Sequence, residues 1–121
     1  MLKLYMDYEF TDWNKYIDVE RSNKYAANSL KQKEMNVVRY YTIGKKYEGD
    51  YPVQITFRKY FKDKRKDLDN VRLKGLLDGL VKNGVLKNDN LNCIQKITLI
   101  PVFSTEKEGI EVEIDSIDNV S

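Results

Sequence analysis

The chain has 121 residues, 41% of them hydrophobic, enough for one domain with a real core and too few for two. Lys and Arg number 21 against 19 Asp and Glu, so the net charge of +2 does not mark a nucleic-acid binder and the local distribution must carry that argument. The absence of histidine and the single cysteine, Cys93, exclude Ser-His-Asp and Cys-His nucleophiles, cysteine or histidine zinc sites and an intrachain disulfide, leaving hydrolytic chemistry to carboxylates, lysines and a hard cation such as Mg²⁺.

From the amino terminus, Leu2, Leu4 and Met6 alternate with Lys3, Tyr5 and Asp7, the pattern of a half-buried strand. Lys3, Asp7 and Glu9 interrupt this segment, so it lacks a signal-peptide pattern, and no apolar run approaches the ~20 residues of a membrane span. A cytoplasmic protein with no membrane partner is expected. Residues 11–16 are polar and aromatic and read as a loop or short turn. A helix is expected from Ser22 to about Tyr41, with Ser22 or Asn23 as cap and Ala26, Ala27 and Leu30 as good formers. Arg21, Lys24, Lys31 and Lys33 make its outer surface basic, which serves solvation as readily as phosphate binding.

After a turn region punctuated by Gly44 and Gly49, Val53, Ile55, Phe57 and Phe61 alternate with Gln54, Thr56 and Arg58, the clearest strand pattern in the chain. It leads into the basic run Lys62-Asp63-Lys64-Arg65-Lys66 and then into Asp67-Leu68-Asp69-Asn70. Leu73, Leu76, Leu77, Leu80 and Val81 fall at helical spacing and predict a helix from about Asn70 to Lys82, stopped at Asn83-Gly84. Val85-Leu86 is a short apolar hook and residues 87–90 a polar turn. A strand is expected over Ile94 to Val102, with Pro101 ending it or placing it at an edge. Ser104 to Gly109 reads as a hairpin turn before a last strand carrying Ile110, Val112 and Ile114. The expected fold is α+β, one compact domain over residues 1–121, with a mixed sheet, two main helices and the order β-α-β-α-β-β.

Asp67-Leu68-Asp69-Asn70 is the stretch that carries chemistry. On extended backbone its two carboxylates point to the same side, and a divalent cation can sit between them. Concentrated positive charge stands directly upstream, as suits a site receiving both a metal and a phosphate. Taken singly, Asp67 and Asp69 can equally be helix caps, and residues 88–90 an ordinary side-chain-capped turn.

The run Asp67-Leu68-Asp69-Asn70, then Lys74, Asp78 and Leu80, then Gly84-Val85-Leu86 leading to Asp89, resembles the RusA family of crossover-junction (Holliday junction) endodeoxyribonucleases, often phage- or prophage-encoded. The likeness covers the carboxyl-terminal half in order and spacing. It extends to Asn14-Lys15-Tyr16-Ile17 and to residues 20–25, which are similar to the amino-terminal segment of Gram-positive phage members. It implies that Asp67, Asp69 and Asp89 are metal-binding catalytic acids and Lys74 the functional lysine. It also implies a Mg²⁺ cofactor, with Mn²⁺ able to substitute, and a homodimer that resolves four-way DNA junctions in recombination and repair. Lys74 lies one residue further from the motif than the family pattern, a rotation of about 100° on a helix. Asn88 stands where many members carry another Asp.

Three neighbouring carboxylates repel and hold protons until a cation compensates them, which agrees with a metal site. Lys62, Lys64, Arg65, Lys66 and Arg72, with Lys15, Arg21 and Lys24, are the expected phosphate contacts. Trp13, Tyr16 and Tyr25 can stack on bases or simply pack. Asp89 bears on assembly. A helix from Asn70 to Lys82 carries the chain about 20 Å away, and the run from Gly84 to Asp89 spans at most about 17 Å. Asp89 is therefore expected either to return along a nearly straight path or to complete the partner subunit's site. An Asp-x-Asp phosphatase fits poorly, because Lys62 to Lys66 occupies the place of its apolar strand. A non-catalytic DNA-binding or recombination-accessory dimer is the alternative from a different class.

Overall fold

Period-two alternation builds the sheet. In a computed structural model describing residues 1–117, β1 (Leu2–Met6), β2 (Val53–Phe61), β3 (Ile94–Phe103) and β4 (Ile110–Ser116) form one four-stranded sheet in the order β1-β4-β2-β3. β2 runs parallel to β3 and antiparallel to β4, which is itself antiparallel to β1. This is the mixed sheet of the expected α+β class. Leu4, Met6, Val53, Ile55, Phe57, Ile110, Val112 and Ile114 all turn to one face and are buried there, since successive strand residues point to opposite sides.

Three helices, α1 (Trp13–Ser22), α2 (Lys24–Tyr41) and α3 (Leu73–Lys82), accompany the sheet. Leu76 and Leu80 of α3 and Val38 of α2 join the sheet residues in one continuous core, closed below α3 by the apolar hook Val85-Leu86. The helices α2 and α3 cross closely because Gly79 lacks a side chain: a Cβ there would lie 2.9 Å from Val38 Cγ2. Among the described residues no helix is long and apolar enough to cross a membrane.

Three expectations change. Residues 11–16 are not a loop: α1 begins at Trp13, because Asp12 Oδ1 accepts the Lys15 N–H at 2.9 Å and Tyr16 is buried. Asn23 then serves two helices. Its N–H donates to Val19 at the end of α1, and its side chain accepts from Tyr25 and Ala26 at the start of α2. Second, the expected helix from Asn70 starts only at Leu73. Leu68–Asn70 is a 3₁₀ turn, and Val71 returns to extended backbone before the helix. Third, residues 104–109 are not a hairpin turn. β3 and β4 are separated by β2, the most deeply buried strand, and the connection passes over its end, where Tyr60 N–H donates to Gly109 and Ser104 N–H to Phe61. Pro101 does lie on an edge strand, as expected.

Arg72 fixes where α3 begins. Its side chain is 6% exposed and ion-paired to Glu34 of α2, whose side chain is 5% exposed. Glu34 Oε2 also accepts the Thr11 N–H at 2.7 Å, Arg72 Nε donates to the Thr11 carbonyl at 3.3 Å, and the guanidinium lies 4.4 Å from the Tyr16 ring centroid. One cation thus joins α1, α2, α3 and the segment after β1. Arg72→Met leaves Glu34 buried and uncompensated and should cost about 3–5 kcal/mol in urea unfolding. Adding Glu34→Met should recover part of that loss, whereas additive losses in the double variant would contradict the pairing.

Candidate functional site

The chain leaves β2 at Phe61, enters the basic run, and turns through Leu68–Asn70 into α3. This path bounds a cleft of about 330 Å³ at the carboxyl-terminal end of β2. Phe10, Phe61, Leu76 and Ile110 make its apolar walls, and Lys59, Lys62, Lys66 and Asp67 are among its polar lining. Lys59 sits at an inward strand position in series with Val53, Ile55 and Phe57 and is only 8% exposed. Its ammonium is satisfied by Glu9 Oε1 at 2.6 Å and the Tyr60 carbonyl at 2.9 Å.

Asp67 is extended (φ −91°, ψ 130°), is exposed, and stands at the cap position of the 3₁₀ turn without making a side-chain cap bond. Asp69 is also exposed, inside that turn rather than on a strand, so the alternation that would align the two carboxylates does not operate between them. Asn70 Oδ1 accepts the Asn14 N–H at 3.0 Å, which fixes the amino-terminal end of α1, and with it Lys15, beside the turn. Asp12, Glu9 and Glu108 add acids to the cleft that no sequence motif indicated.

Asp89 is elsewhere. Its turn leads through Asn90, whose carbonyl accepts from Cys93 and Ile94, into the first residue of β3, which pairs with Val53 at the start of β2. Lys87 N–H donates to the Tyr51 hydroxyl at that same end. The eight residue steps from Val53 to Phe61 separate this end from the Asp67 end by about 26 Å. Among the described residues, no three His, Cys, Asp or Glu side chains of one chain stand close enough to hold a metal ion. Asp67 and Asp69 offer the hard oxygen donors Mg²⁺ takes, but the expected third ligand is not brought to them within one chain.

The expected phosphate contacts divide. Lys15, Arg21 and Lys24 are exposed on α1 and at the start of α2. Lys62 pairs with Glu108 at 3.8 Å and Arg65 with Asp63 at 3.1 Å, both on the surface. Lys64 lies 5.3 Å from the Phe103 ring centroid, and Lys66 faces the cleft. Arg72 is a correction: buried against Glu34, its guanidinium is committed to the core and is not an external phosphate contact. Lys74 is exposed in the first turn of α3, does not line the cleft, and lies 3.8 Å from Asp78 four residues on. Tyr16 packs, while Tyr25 is 85% exposed.

No protein-family model matches the chain, and no curated protein matches it.

Hydrogen bonds from the Arg65 side chain and backbone hold the Asp63 carboxyl below the usual carboxylate range. A lowered folded-state value means that the pair's contribution is present above the unfolded carboxylate value and disappears as pH falls through the folded one. Carboxyl chemical shifts followed against pH should show Asp63 titrating low in the wild type and moving up in Arg65→Gln. An unchanged Asp63 titration would remove the pair from the surface of the folded chain.

Proposed function

We propose that the protein is a metal-dependent, structure-specific endodeoxyribonuclease that cuts four-way DNA junctions as a homodimer. The observation that supports this reading is Asp67. It stands at a cap position without making a side-chain cap bond, and it lines a cleft together with Lys62 and Lys66. A carboxylate used only for capping would be bonded to the turn's own N–H groups.

The residues divide the work by position. Asp67 lines the cleft and Asp69 follows it in the same turn, and Asp89 of a second subunit supplies the third acid, because the chain's own Asp89 turn lies at the opposite end of β2, a strand about 26 Å long. Mg²⁺ held by that set would supply charge compensation to a phosphodiester under attack. Lys62 and Lys66 hold the phosphates adjoining the cleft, and Lys15, Arg21 and Lys24 extend the basic track along α1 and α2. Lys74, displaced from the cleft lining, acts on the phosphate from the first turn of α3. A junction presents strands related by approximate two-fold symmetry, which a symmetric dimer matches with two cuts.

Labelled four-way junctions incubated with and without Mg²⁺ test the proposal. Cleavage should require the metal, and Asp67→Asn, Asp69→Asn and Asp89→Asn should each lower its rate by about 100-fold or more while binding is kept or tightened. Lys74→Ala should lower rate more than affinity, and Lys64→Ala should reduce the salt slope of binding by about one. Tight metal-independent binding with no cleavage would instead support a recombination-accessory role.

A further inference from the structure

Lys59 is a charge at a place where the sheet takes an apolar side chain. It follows Val53, Ile55 and Phe57 on the inward face of β2, and its register neighbours on the flanking strands, Ile110 of β4 and Pro101 of β3, carry no charge. An aliphatic residue would fill the position without the cost of taking an ammonium out of water. What the lysine adds is a cation lining the cleft, 5.1 Å from the Phe61 ring centroid. Of the three N–H donors of its ammonium, the Glu9 carboxylate and the Tyr60 carbonyl take two.

The two members of the pair are held differently. The Lys59 side chain is 10% exposed and that of Glu9 57%. Glu9 belongs to the segment between β1 and α1, whose backbone is tied on either side: the Asp7 carbonyl accepts from the Tyr41 hydroxyl, and the Thr11 N–H donates to Glu34. Among the described residues the Glu9 carboxylate has no partner besides Lys59. The fold thus fixes the cation, whereas the anion can leave it by side-chain rotation alone. The other charges of the cleft are mostly committed. Lys62 is paired with Glu108, Asp63 with Arg65 and Arg72 with Glu34, and Asp12 caps α1. Among the described residues Lys66 and Asp67 make no ion pair, so with Glu9 turned out two ammoniums, those of Lys59 and Lys66, line the cleft against one carboxylate.

We propose that Lys59 is an anion-binding residue of the cleft, and that Glu9 is its built-in occupant, displaced by a phosphate oxygen of the DNA backbone. A phosphodiester brings one negative charge and terminal oxygens that accept charge-assisted hydrogen bonds, so it returns to Lys59 what Glu9 takes away. The buried ammonium is compensated before and after the exchange, which a lysine with no second acceptor could not achieve. Binding of the phosphate and release of Glu9 are then one equilibrium, and weakening the occupant favours the ligand. The backbone as source of the phosphate rests on the nuclease reading above; the anion site itself does not.

The test needs neither cleavage nor metal. Inorganic phosphate is titrated into the protein while NMR follows the Lys59 side-chain nitrogen and the Glu9 carboxyl carbon, which in the wild type should move together with one dissociation constant. Glu9→Gln leaves the ammonium a weaker, neutral occupant and should lower that constant about tenfold. Glu108→Gln removes the same charge from the cleft without touching Lys59 and should keep the constant within about twofold. A metal-free four-way junction should shift the same two resonances. A Lys59 signal indifferent to phosphate in both the wild type and Glu9→Gln overturns the anion site, as does an equal gain in Glu108→Gln, which would make the effect one of general charge. A response to inorganic phosphate with none to the bound junction overturns the backbone source. A junction that shifts Lys59 and is not cut with Mg²⁺ supports the anion site and contradicts the nuclease reading alone.

Discussion

The pairing of Arg72 with Glu34 is the constraint on which the arrangement of this molecule depends. Two charges removed from water are a costly way to hold helices together, and apolar residues of equal volume often do it as well. What the pair adds is direction. Arginine carries several donors in a planar fork and stacks on aromatic rings, so it can bond Glu34 and the Thr11 carbonyl while lying over Tyr16. Turning Arg72 inward ends the 3₁₀ turn and starts α3, which leaves Asp67 and Asp69 on the outside of the bend. The same packing accounts for Gly75, where a Cβ would lie 2.7 Å from an Arg72 guanidinium nitrogen.

A second constraint is topological. In a parallel pair joined through a helix, the residues that follow the first strand and those that precede the second lie at opposite ends of the sheet. Asp67 follows β2 and Asp89 precedes β3, so the length of β2 keeps them apart whatever their side chains do. A carboxylate set drawn from both turns is therefore not assembled within one chain.

Much of this was legible from residue spacing. The alternation in β1 and β4 is strict, in β2 it runs unbroken from Val53 to Arg58, and the apolar stripe of α3 gave its end within a residue. Pro101 allowed either an end or an edge there, and the edge is what the sheet shows, with β3 continuing to Phe103. What escaped was structure that depends on tertiary contact. α1 is poor in apolar residues and exists through the Asp12 cap and the burial of Tyr16. The place of β4 between β1 and β2 is a choice of partner, and alternation does not encode partners. Two signals were present and unused. Glu34 falls seven residues after Ala27 and four before Val38, on the buried stripe of α2, and Lys59 continues the inward series of β2. A charge at an apolar position of a periodic element marks a buried partner or a cleft, and here both occur. Of the candidate site, Asp67 and Lys66 were indicated by the sequence and face the cleft. Arg72 was indicated for its charge, when its position one residue before an apolar helix stripe made it part of the core.

The central claim is that the acids of one site come from two chains, and mixing subunits tests it most directly. Asp67→Asn and Asp89→Asn chains, each inactive alone, are combined and allowed to exchange before a labelled four-way junction and Mg²⁺ are added. If the site is shared, a mixed dimer holds one intact set of carboxylates and nicks one strand of the junction. If each site is built within one chain, every site in the mixture is broken, and the absence of nicking would contradict the account.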